Sequence, residues 1–72
     1  MRTEKEIIDN FALKLRTKRE ELGISQEKLA ERSGLHRTYI GMVERMERNP
    51  SLVCIYKIAN GLNVSVKQLL DD

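Results

Sequence analysis

Apolar residues recur along this chain at intervals of three and four, and polar punctuation divides the pattern into five helical segments. The first is expected to begin near Thr3, because Glu6 three residues later completes a capping-box pattern. Its apolar row, Ile8, Phe11/Ala12, Leu15 and Leu22, makes one helix face, and Gly23 suits the left-handed stop. Ser25 caps a second helix, Gln26 to Arg32, whose inward residues are Leu29 and Ala30. Ser33-Gly34-Leu35 turns the chain into a third helix, from about His36 to Glu44 or Arg45, with Ile40 and Val43 facing in. After the loop Arg48-Asn49-Pro50-Ser51, a fourth helix carries the inward row Leu52, Ile55, Ile58/Ala59 and Leu62. Asn63 tolerates the left-handed conformation that stops it, and Ser65 caps a last short helix bearing Val66, Leu69 and Leu70.

Composition narrows the class. One proline and four glycines, against long runs of Leu, Ala, Glu, Lys and Arg, favour an all-α fold of five helices. Seventy-two residues is room for one domain, residues 1–72, and a chain this short buries only ~60% of its unfolded surface. Its thin core must be closely packed or share burial with a partner. The apolar fraction of 40% and charged fraction of 33% are those of a folded helical domain. A lone cysteine, Cys54, excludes an internal disulfide and fits a reducing cytoplasm. No apolar run is long enough for a membrane span, and Glu4, Glu6 and Asp9 ahead of the first apolar cluster argue against a signal peptide. A net charge of +2 says little by itself, but the bases are unevenly placed: Lys14, Arg16, Lys18, Arg19, Arg37, Arg45 and Arg48 all lie before the fourth helix.

The informative unit is Ile24-Ser-Gln-Glu-Lys-Leu-Ala-Glu-Arg-Ser-Gly-Leu-His-Arg-Thr-Tyr-Ile-Gly-Met-Val-Glu44. Two short helices joined by a glycine turn, meeting at roughly 90–120°, make a helix-turn-helix over residues 24–45. Ala30 is small where the helices approach, Gly34 supplies the turn, and Leu29, Leu35, Ile40 and Val43 form the shared seam. On these residues the chain resembles the DNA-binding domains of the Cro and phage-repressor family, the xenobiotic-response-element type. The resemblance runs from the first helix to Leu70. Arg37-Thr-Tyr-Ile40, Glu44-Arg45 and Arg48-Asn-Pro-Ser-Leu52 are most similar to controller proteins of restriction–modification systems.

At about 100° per residue, Thr38, Gly41, Met42 and Arg45 lie opposite the inward residues of the third helix, flanked by Arg37 and Tyr39. A recognition helix presents such a face to the major groove. Arg37 can donate two hydrogen bonds to guanine, Thr38 can bond a base or offer its methyl to thymine, and Met42 offers apolar contact. The resemblance implies a backbone contact for Gln26, at the positive end of the second helix. Lys28, Tyr39, Arg45, Arg48 and Asn49 are further backbone candidates, which position the protein without reading sequence. The competing reading leaves these residues as solvated surface.

Arg19 falls within the apolar row of the first helix, where a charge needs a partner. Glu44 is the best available carboxylate, and the resemblance implies the same pair; the alternative turns Arg19 outward. Relatives commonly place glycine at Met46, so this residue either accepts a left-handed strain of roughly 1–2 kcal/mol or redirects the loop. Apolar residues left over from the core, Val53, Tyr56, Val66 and Leu69 or Leu70, suggest a homodimer built from the C-terminal region, about residues 51–72. The alternative puts them in the core of a monomer. A dimer would bind a near-palindromic operator in double-stranded DNA and recruit or obstruct RNA polymerase. His36 and Cys54 are too few to form a zinc site, and no catalytic grouping or phosphate loop is present, so neither cofactor, metal nor enzymatic activity is expected. An antitoxin on the same fold is the other functional class, though one would be expected to carry extra surface or a tail.

Overall fold

The computed structural model describes residues 2–70; Met1, Asp71 and Asp72, at the ends of the expected domain, lie outside them. Five helices follow in order: α1 Glu4–Glu21, α2 Gln26–Ser33, α3 Arg37–Glu44, α4 Leu52–Leu62 and α5 Val66–Leu70. No strand occurs among the described residues.

The helix starts are set by local chemistry. Thr3 Oγ1 accepts from the Glu6 amide at 3.1 Å while Glu6 Oε1 accepts from the Thr3 amide at 3.0 Å, which completes the capping box. Ser25, Ser51 and Ser65 accept from the amides of Lys28, Cys54 and Gln68 at 3.0, 3.2 and 3.2 Å. His36 precedes α3 without a side-chain cap. Gly34 and Asn63 take left-handed conformations, φ 69° and 58°, which let the last carbonyls of α2 and α4 find amide partners beyond the helix. Met46 is also left-handed, at φ 65°, so the loop after α3 carries the strain that a glycine would have avoided.

All five helices send side chains into one core: Phe11 and Leu15 from α1, Leu29 and Ala30 from α2, Ile40 and Val43 from α3, Ile58, Ala59 and Leu62 from α4, and Leu69 from α5. Of the other residues expected to face inward, Ile8, Leu35 and Ile55 are half-buried, and two are exposed. Leu22 caps the end of α1 at 45% exposure, and Leu52 opens α4 at 66%. Both sit at helix ends, where the face that continues the apolar row has run past the core. The most extensive helix packing is between α2 and α4. A Cβ on Gly61 would overlap Ser33 Oγ and come within 3.0 Å of Leu29 Cδ1, so only glycine lets these helices pack at this distance.

Candidate nucleic-acid interface

The helix-turn-helix is α2, the turn at Gly34 and α3, and α1 braces it from behind. Arg19, in the last turn of α1, directs its guanidinium to Glu44 at the end of α3. Nε donates to Oε2 at 2.7 Å and Nη2 to Oε1 at 3.0 Å, while Nη1 donates to the Ile24 carbonyl at 2.8 Å. The side chains are 13% and 4% exposed, so this is a fork-to-fork pair largely out of water. The hydrogen bonds to Glu44 raise the Arg19 pKa above its ordinary value. The expected pair is therefore present, and it reaches further than expected. Gln26 Nε2 also donates to Glu44 Oε1, at 3.1 Å. One carboxylate thus ties the end of α1 and the start of α2 to α3.

This changes the reading of Gln26. Its side chain is half-buried and one amide N–H is committed to Glu44. The second N–H remains for a ligand at the helix start. Arg37 and Thr38 are both exposed at the N-terminal end of α3, and Met42 on the same side is half-buried. Gly41, expected on the outward face, is buried there by two side chains laid across it: a Cβ at Gly41 would stand 3.0 Å from Arg45 Nη1 and 3.5 Å from Gln26 Oε1. Arg45 also donates from Nη2 to Glu47 Oε1 at 3.2 Å, a contact that the three- and four-residue spacing of helical pairs does not anticipate.

Tyr39 differs from a free backbone donor. Its ring is half-buried against the core. Burial first, and the hydrogen bond to Cys54 second, push its hydroxyl up to about 12, so it stays neutral and engaged with α4 at ordinary pH. The Arg48 guanidinium lies over the ring, 5.7 Å from its centre, within cation–π range. Arg48 and Asn49 are exposed in the loop that the left-handed Met46 directs. Lys28 is exposed and pairs with Glu31 at 3.3 Å on the same helix surface.

The apolar residues assigned to a dimer divide. Val53 and Tyr56 on α4 are 63% and 55% exposed, with Leu52 on the same helix, and Leu70 on α5 is 47% exposed. Leu69 is fully buried, because α5 needs it as its anchor against α1 and α4. Val66 is half-buried on the core and offers little free surface. No group of His, Cys, Asp and Glu able to hold a metal occurs among the described residues. Among the described residues no helix is long and apolar enough to cross a membrane.

A braced two-helix unit with an arginine and a threonine free at the start of its second helix defines a class of protein. The chain belongs to the helix-turn-helix family of DNA-binding transcription regulators, whose model matches residues 15–69. Among its relatives, the control protein C.SmaI of Serratia marcescens is 53% identical over 65 residues, covering 90% of this chain and 77% of that protein. The control protein C.BamHI of Bacillus amyloliquefaciens is 56% identical over 48 residues, which span 67% of this chain and 59% of that one. The crystal structure of the restriction-modification controller protein C.AhdI from Aeromonas hydrophila superposes with a TM-score of 0.84 at 47% identity, covering 86% of this chain and 94% of its own.

Proposed function

We propose that this protein is a controller-type regulator that binds a near-palindromic operator as a homodimer, inserting α3 of each subunit into the major groove. The observation that carries the reading is the exposure of Arg37 and Thr38 on a helix that Arg19, Glu44 and Gln26 hold rigidly from behind. A reading helix needs that combination: side chains free for base edges, on a backbone that does not yield. The likeness to controller proteins over most of the chain supports the narrower role.

Arg37 donates to guanine O6 and N7, Thr38 contacts the neighbouring base, and Met42 lies against a thymine methyl. Gln26, through its free N–H, with Lys28, Arg48 and Asn49, grips the phosphates and sets the register. The ring of Tyr39 holds Arg48 in place. Two subunits joined through α4, with Leu52, Val53 and Tyr56 at the centre, place two recognition helices ~34 Å apart on one DNA face. The operator-bound dimer recruits or obstructs RNA polymerase according to where its site lies.

The test is a binding titration on the operator with each base pair changed in turn. Arg37→Ala should flatten the preference at one position per half-site, where the unmodified protein discriminates by about 5- to 150-fold. Equal weakening on every sequence would place Arg37 on a phosphate instead.

A further inference from the structure

We propose that Arg45 is a base-reading residue and that Gly41 is the seat that aims it; the inference rests on the operator-binding reading. Arg45, the residue that caps the end of α3, continues by its spacing the stripe of Thr38, Gly41 and Met42, and helical side chains lean back toward the N-terminus. Arg45 follows that direction by one turn. Its Nη1 and Cζ lie 3.0 and 3.8 Å from where a Cβ of residue 41 would stand. The guanidinium occupies the volume that any larger residue at Gly41 would claim.

The consequence is chemical. Gly41 contributes no side chain and Met42 only a thioether, so apart from the Gln26 amide beside Gly41 the middle of the groove-facing surface would have no hydrogen-bond donor without Arg45. Arg45 supplies one there, over the outward face and not at its rim. A phosphate contact would need the charge swung sideways to the groove wall. One edge of the fork is held by Glu47, through Nη2 to Oε1 at 3.2 Å, and both side chains are more than half exposed. An exposed pair of this kind contributes little, so an acceptor pair on a guanine edge replaces the Glu47 carboxylate at small cost. Lysine cannot do the same, since its ammonium is a point charge without a fork.

The same titration, repeated with Arg45→Ala, Arg45→Lys and Gly41→Ala, decides the matter. Both Arg45 substitutions should lose preference at one shared position, by about 5- to 150-fold, while the Arg37 position keeps its own. Gly41→Ala should melt no lower than the unmodified protein, because alanine favours the helix, and yet weaken discrimination at the position Arg45 reads. Uniform weakening by Arg45→Ala, rescued by Arg45→Lys and accompanied by a salt slope smaller by about 1, would overturn the inference and make Arg45 a phosphate contact. So would retention of every base preference by both variants, with the operator reading left intact. Absence of any base preference in the unmodified protein overturns the operator reading and this inference together.

Discussion

Glu44 has more to do than any other single residue in the interface. Removing one member of a buried ion pair leaves the other charge without compensation, which costs about 3–5 kcal/mol. Glu44→Gln should therefore destabilise the fold by about 3 kcal/mol or more, because Arg19 keeps only the Ile24 carbonyl as a strong acceptor. Glu31→Gln removes an exposed partner of Lys28 and should change stability by no more than about 0.5 kcal/mol. Thermal melts of the two variants check this, and equal midpoints would contradict the brace. The pair itself was legible in the sequence, since Arg19 interrupts an apolar row and Glu44 lies near the facing row. The part played by Gln26 was not. A glutamine at a helix start has the same local pattern whether its amide faces solvent or folds onto a carboxylate from the next helix. Arg45 was obscured for a related reason, as helical spacing gives the face of a residue but not how far a long side chain reaches along it.

Element boundaries were readable because the stop and start signals are chemical: serines before α2, α4 and α5, Thr3 with Glu6 before α1, and Gly34 and Asn63 after α2 and α4. Periodicity failed at helix ends. Leu22 and Leu52 continue their rows on paper, but the neighbouring helices do not extend to cover them. Nor does a pattern of residues reveal how close two helices come. The approach of α2 to α4 depends on Gly61 facing Ser33, whose buried Oγ has no hydrogen-bond partner. Gly61→Ala should destabilise by about 1–3 kcal/mol through overpacking, despite the better helix propensity of alanine. Ser33→Ala should be neutral or stabilising, since it removes an unpaired buried hydroxyl, and adding it to Gly61→Ala should recover part of the loss. Denaturant midpoints of the three variants measure these terms; a Gly61→Ala variant as stable as the parent would mean the helices have room to separate.

For the whole molecule, the question is what covers α4. Leu52, Val53 and Tyr56 form an exposed apolar group, while Leu69 and Val66, which the assignment of core rows left available for a dimer, are drawn inward by α5. A homodimer through α4 predicts a dimer in sedimentation at tens of micromolar and a monomer for Val53→Asp with Tyr56→Asp, both still folded by circular dichroism. A monomeric parent at that concentration would argue against the shared interface. The five-helix architecture and the exposure of Arg37 and Thr38 were legible because capping, periodicity and the turn all indicate the same arrangement. The exposed apolar residues were only half legible, because one sequence does not say which spare apolar residues a short helix will consume.

Selection of bound sequences from random double-stranded DNA tests the central claim most directly. The account predicts enrichment of paired, inverted half-sites whose centres lie one helical turn apart, ~34 Å, each with a position that Arg37→Ala relaxes. Recovery of unrelated sequences, or of single half-sites without a partner, would contradict it.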